Sequence, residues 1–363
     1  MKLLQIGIVG LGLMGGSLAK AIKTKCTPSR ITAYDVHPDA LHLAYEEGII
    51  DVIAHKDFHD FSHCHIIFLC APVKKNMEVL EKLVSIVHPS CIMTDIGSTK
   101  KDITDLARTL QCNQFIGGHP MTGSEKSGIS SAESHLYENA YYILTPDPSI
   151  PHTMVKTLRE LIEQIGALPI LVEPDEHDYI TASISHVPHI IASAMVNMVQ
   201  KLDNPKEQMH TLAAGGFKDI TRIASSSPEM WQQICLTNKK NILEIMDCFQ
   251  EDLASIRSSI QHNQLEDVWR FFERARNYRD SFSDREIGAI MKSYKITVDV
   301  VDQPGIIAEI ATLLSKHNIN IKNIGINNNR EHQEGVLEIL FYDLHSQEQS
   351  IQILNDMHYL VYL

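Results

Sequence analysis

The chain has 363 residues, 44% hydrophobic and 21% charged, the balance of a folded protein with room for two or three cores. Its formal net charge of −13 excludes the broadly basic face that nucleic acid requires. Seven scattered cysteines without a C-x-x-C pair suggest neither a disulfide framework nor a zinc site, and no apolar run is long enough for a signal or a membrane anchor, so a cytoplasmic location is expected.

Up to residue 173, short apolar runs at 5–9, 30–34, 65–70, 91–95, 114–117, 140–144 and 169–172 alternate with helical patterns at 17–23, 38–47 and 77–86. That alternation predicts parallel βαβ units, an α/β fold with a Rossmann-type doubly wound sheet over residues 1–173. Residues 174–291 carry no convincing strand. Apolar positions there recur at three- and four-residue spacing, as in Ile242, Ile245, Met246, Phe249, Leu253 and Ile256, which predicts an all-helical domain in need of a partner surface. Residues 292–363 read as β-α-β-β-α-β, a small sheet with helices on one face.

Gly10-x-Gly12-x-x-Gly15 follows the first predicted strand and opens a helix. The first glycine suits a tight turn, the second lets a pyrophosphate approach the backbone, and the third packs helix on strand. Asp35, 20 residues after Gly15, ends the second strand, where a carboxylate binds ribose hydroxyls and repels a 2′-phosphate. NAD is therefore expected over NADP, although His37 nearby is a group able to meet a phosphate.

Three further segments leave the sheet where such folds bind ligands. Ala71-Pro72 suits the wall of a nicotinamide ribose site. Ser98, in DIGSTK, sits at a strand tip, free to cap the following helix and to face the ligand. His119, between Gly117-Gly118 and Pro120, is expected to be displayed by a turn. In the helical region His186 and His189 lie one turn apart, without companions at metal-ligand spacing. Gly215-Gly216 is expected to break a helix just before Lys218, Asp219 and Arg222, an arrangement suited to clamping an anion.

Taken together, GLGLMGGS, DIGSTK, GGHPMTGSEKSG, SHVPH and GGFKDITRIA resemble, in order, the motifs of the prephenate dehydrogenase family, and the resemblance spans the whole chain. It implies NAD-dependent oxidative decarboxylation of prephenate to 4-hydroxyphenylpyruvate, in tyrosine biosynthesis, without a metal. It assigns His119 as the catalytic histidine that accepts the proton of the substrate's ring hydroxyl, with Ser98 touching the same hydroxyl. Arg222 then binds a substrate carboxylate and His189 lines the pocket, while Glu125 and Asp219 form an ionic gate with Lys218. The C-terminal region is similar to ACT regulatory domains, which implies an amino-acid site around Asp302, Gly305, Asn318 and Asn320, with tyrosine as feedback inhibitor, in a homodimer. An arogenate dehydrogenase is the nearest alternative reading. A β-hydroxyacid dehydrogenase, or an amino-acid sensor with a decayed nucleotide domain, stands farther off.

Overall fold

The computed structural model describes residues 3–124, 126–284, 294–301, 303–327 and 334–362. Two compact units divide the chain, Met1–Val268 and Trp269–Leu363. The first begins β1 (Leu4–Val9), α1 (Leu13–Lys25), β2 (Ser29–Tyr34), α2 (Pro38–Glu46), β3 (Val52–Ile53), β4 (Ile66–Leu69), α3 (Val73–Leu83), β5 (Ile92–Asp95) and α4 (Lys101–Thr109). It continues with β6 (Phe115–Pro120), β7 (Tyr141–Pro146), α5 (His152–Gln164) and β8 (Leu168–Leu171). The eight strands form one sheet in the order β3-β2-β1-β4-β5-β6-β7-β8.

The strands are short and apolar because the sheet is buried on both faces. In β4, Ile66 and Phe68 face one core with Ile6, Ile8 and Leu18, whereas Ile67 and Leu69 face a second with Leu80, Leu83 and Ile103. Each such side chain contributes about 1.5–3 kcal/mol by leaving water. The doubly wound Rossmann-type sheet is thus present, with one departure: β6 and β7 pair antiparallel, His119 opposite Ile143.

That pairing corrects the expected turn at His119. GGHP is the second half of β6, and its glycines serve close approach rather than turning. A Cβ on Gly117 would strike the Thr145 hydroxyl, and one on Gly118 would lie 2.5 Å from the Asp95 carbonyl oxygen. β3, only two residues long, was below the reach of the sequence pattern, and α3 starts directly after Pro72, four residues before the expected 77.

Helices follow: α6 (Pro174–Thr181), α7 (Val187–Leu202), α8 (Gln208–Leu212), α9 (Gly215–Thr221), α10 (Pro228–Thr237), α11 (Lys239–Gln261) and α12 (Leu265–Asp280). A π-helical turn, Ala182–His186, joins α6 to α7. The double glycine opens α9 instead of breaking a helix, because Ala214 is the extended N-cap and Gly215 the first helical residue. None of the described helices is long and apolar enough to cross a membrane.

The C-terminal unit contains β9 (Tyr294–Val301), α13 (Ile306–Lys316), β10 (Ile321–Asn327), β11 (Glu334–Phe341), α14 (Leu344–Asp356) and β12 (Val361–Tyr362). Its antiparallel sheet has the order β10-β11-β9-β12, the expected β-α-β-β-α-β plan. Ile296, Val298, Ile310, Leu314, Leu337 and Ile339 fill its core. Gly305, at φ 98°, begins α13, and Asn318, at φ 57°, turns the chain out of its end. Asn320 is exposed just before β10, and Asp302 lies outside the described residues.

Candidate active site

The glycine turn is built for a phosphate. Gly10 has φ 101°, and a Cβ there would sit 2.8 Å from the Cys70 carbonyl carbon. A Cβ on Gly15 would collide with the Gly10 carbonyl oxygen. At Gly12 the opposite holds: a Cβ meets nothing within 4 Å. Gly12 also caps α1 without any side-chain bond, so the first-turn amides are left for an anion. The Asp35 carboxylate, just past β2, accepts the Leu11 amide at 2.6 Å and the His37 amide at 2.8 Å. It thereby ties the strand end to the glycine turn and still has lone pairs for ribose hydroxyls. Ala71 donates its amide to Asn76 Oδ1 at 3.0 Å, and Pro72 caps α3. Open room over Gly12, bordered by free amides and an acid, fits NAD.

At the tip of β5, Asp95 is fully buried. It pairs with the equally buried Lys100 ammonium and accepts the Gly97 amide at 2.9 Å and the Gly118 amide at 3.0 Å. One carboxylate therefore fixes β5, the loop carrying Ser98, and the residue before His119. Burial pushes the Lys100 proton affinity down, and Asp95 opposes that shift. Ser98 is half-buried on this loop. It does not cap α4, whose cap has no bond of that kind within the loop. Instead the Asp178 carboxylate, from α6, accepts the Lys100 amide at 2.7 Å and the Lys101 amide at 2.9 Å.

Asp178 also accepts from His177 Nδ1 at 2.7 Å, and His177 Nε2 meets His119 Nδ1 at 2.8 Å. His177 and Asp178 are buried, whereas His119 is half-buried. Burial, reinforced by His177, Lys100 and His186, holds the His119 proton affinity well below that of a free imidazole. His119 is thus neutral near pH 7 and able to act as a base. Sequence reasoning passes over His177 and Asp178, because an acid–histidine–acid run opening a helix reads as ordinary first-turn polarity.

Farther along, Asn238 Nδ2 donates to the Asp178 carbonyl at 2.6 Å and lies 3.1 Å from His186 Nδ1. Burial lowers the His186 pKa to about 4. Trp231 packs edge-on to His186, with ring centroids 6.0 Å apart, and stacks on His189 at 3.8 Å. His189 Nδ1 donates to the Ser185 carbonyl at 3.0 Å, leaving Nε2 as an acceptor. Burial and the nearby Arg222 both lower its proton affinity. Arg222 is exposed at the end of α9, beside the two exposed side chains Lys218 and Asp219. Among the described residues neither Lys218 nor Asp219 forms an ion pair, and Glu125 lies outside those residues. No cluster of three or more metal-ligating side chains occurs among the described residues.

A dinucleotide cradle and a half-buried histidine at the carboxyl ends of strands of one sheet define a dehydrogenase that uses NAD. Residues 18–171 match the prephenate dehydrogenase nucleotide-binding domain, residues 173–274 the prephenate dehydrogenase dimerization domain, and residues 294–359 the ACT domain. The chain belongs to the prephenate dehydrogenase family. It is 39% identical to the prephenate dehydrogenase of Bacillus subtilis (strain 168) over 337 residues, 92% of this chain and 91% of that one. With the prephenate dehydrogenase of Lactococcus lactis subsp. cremoris (strain MG1363) it shares 34% identity over 357 residues, 96% and 97% of the two chains. The solved prephenate dehydrogenase of A. aeolicus, in complex with hydroxyphenyl propionate and NAD+, matches with a TM-score of 0.74 at 31% identity, covering 78% of this chain and 99% of that one. The Synechocystis arogenate dehydrogenase matches with a TM-score of 0.68 at 30% identity, over 77% and 100%.

Proposed function

We propose that the chain oxidises and decarboxylates prephenate to 4-hydroxyphenylpyruvate, with His119 as the general base. The observation that carries this reading is the half-buried His119 ring near the carboxyl end of β6, bonded through Nδ1 to His177, where burial lowers its proton affinity. Bound NAD+ supplies the acceptor for the hydride that leaves C4 of the substrate. His119 takes the proton of the C4 hydroxyl, and Ser98 orients that hydroxyl from the neighbouring strand tip. The C1–carboxylate bond breaks, and its electron pair completes the aromatic ring as CO2 departs. Arg222 holds a substrate carboxylate through paired N–H groups, and His189, stiffened by Trp231, lines the pocket. Lys218 and Asp219 act with Glu125 as the ionic gate that the family resemblance implies.

His119→Asn tests the assignment: prephenate binding should persist while kcat falls by about 10²–10⁴-fold, the usual worth of a general base. Unchanged kcat would sink it. Parallel kcat/KM measurements on prephenate and arogenate decide which substrate the side-chain pocket favours.

Residues 1–173 carry the cofactor in this reading, 174–291 the substrate and the dimer contact, and 292–363 regulation. A second copy of the chain covers the exposed apolar side chains Met198, Leu202, Leu243, Leu253 and Ile260 of α7 and α11 in a homodimer. Tyrosine binds the C-terminal unit near Asp302, Gly305, Asn318 and Asn320 and inhibits; removal of the residues after Met291 should abolish inhibition and spare catalysis. Seven unpaired thiols accord with a cytoplasmic location.

A further inference from the structure

His119 has two ring nitrogens, and only a nitrogen without a hydrogen can take a proton. Which one is bare is decided away from the substrate. Three N–H groups converge on the Asp178 carboxylate, from His177, Lys100 and Lys101, so it accepts from each. His177 must then carry its hydrogen on Nδ1, and its Nε2 is left with a lone pair. That lone pair lies 2.8 Å from His119 Nδ1, a contact that holds only if His119 Nδ1 is the protonated nitrogen.

We propose that His177 is a positioning residue for the proton transfer: anchored by Asp178, it fixes His119 as the Nδ1–H tautomer and leaves Nε2 as the lone pair that receives the substrate's proton. The inference rests on His119 being the base. A doubly protonated His177 would reverse the His119–His177 bond and place a hydrogen on His119 Nε2, which blocks the base. The groups facing the two rings are Asp95 at the end of β5, Lys100 just before α4, Asp178 on α6 and His186 on the π-helical turn. Burial dominates among them and, with Lys100, keeps His177 neutral against the pull of Asp178. When His119 gains its second proton, its Nδ1–H still points at a neutral acceptor backed by a carboxylate, so the cation is met without any rearrangement.

The closing experiment reads the tautomer directly. In the full-length protein labelled with ¹⁵N-histidine at pH 7.5, the ring signal lost in His119→Asn should show a protonated Nδ1 and a bare Nε2. A protonated Nε2 in the wild-type enzyme overturns the proposal, whatever any variant does. His177→Leu should lower kcat by about 10²–10³-fold with KM for prephenate within about twofold, since the base keeps its place and loses its tautomer. His177→Gln, whose amide oxygen can accept the same hydrogen, should recover at least about tenfold of that loss. If kcat survives in His177→Leu, or Gln rescues no better than Leu, the proposal fails while the base assignment stands. Wild-type kcat in His119→Asn removes the base assignment itself.

Discussion

Gly118→Ala asks whether the sheet positions the base to within a fraction of an ångström. The added Cβ would lie 2.5 Å from the Asp95 carbonyl oxygen, 2.9 Å from Thr94 Oγ1 and 3.0 Å from Tyr142 Cε1. The nearest atom is backbone, so no rotamer change relieves it. Ordinary contact begins near 3.4 Å, and β5 and β6 must therefore part by about 0.9 Å. The Gly118 amide bond to Asp95 lengthens with them, and the displacement passes to His119, the next residue. Overpacking of this kind costs about 1–3 kcal/mol, a Tm loss of about 2–12 °C. A misplacement of about 1 Å between reacting groups costs about 10²-fold in rate. Initial-rate NADH formation should therefore show kcat down about 10²-fold with KM for NAD+ unchanged, because Gly10–Gly15 are untouched. Thermal unfolding monitored in parallel should show the transition of the large-sheet unit lowered by that amount. A variant that keeps kcat within threefold refutes the claim that Gly118 is small in order to place His119.

Gly12→Ala is the converse case. Its Cβ meets no protein atom, so Tm should stay within about 1 °C while KM for NAD+ rises at least about tenfold; an unchanged KM removes the phosphate from that space. Arg222→Ala should raise KM for prephenate about 10–150-fold, the worth of a charge-assisted hydrogen bond, with little change in kcat. In the proposed mechanism a neutral His119 is the active form, and burial holds its proton affinity well below the ordinary imidazole value of 6.5. Activity is therefore fully present above about pH 6.5 and lost as pH falls through the lowered value. A kcat/KM profile for prephenate still climbing above pH 7.5 contradicts this.

Much of the fold was legible in the sequence because it is local. Apolar runs mark seven of the eight strands in the large sheet, and the glycine spacing marks the tight turn between β1 and α1. His119, Ser98 and Asp35 stood out for the same reason, each at the end of a readable strand. What could not be read is what depends on contact across the sequence. Gly117-Gly118 has the composition of a turn, and only the crowding by Thr145 and Asp95 reveals a strand that needed small residues. His177 lies 58 residues from His119, and no periodicity connects them. Lys100, two residues past Ser98, has nothing in its local sequence to mark it as internal, yet it is buried against Asp95.

Two carboxylates that need not touch substrate account for most of this geometry. Asp95 grips the strand tips through Gly97, Gly118 and Lys100, all from the sheet side. Asp178 grips the same loop through the amides of Lys100 and Lys101, and it does so from α6, the first helix beyond the sheet. The loop bearing Ser98 is therefore held from both directions, and among the described residues Asp178 alone is bonded to both that loop and His177. Asn238, from the start of α11, donates to the Asp178 carbonyl and so ties a third element to the same point. The loop bearing Ser98 and, through His177, the His119 ring are thus both referred to one carboxylate on α6. In the proposed mechanism these are the two groups that meet the substrate hydroxyl, and Asp178 is the common point from which their spacing is set.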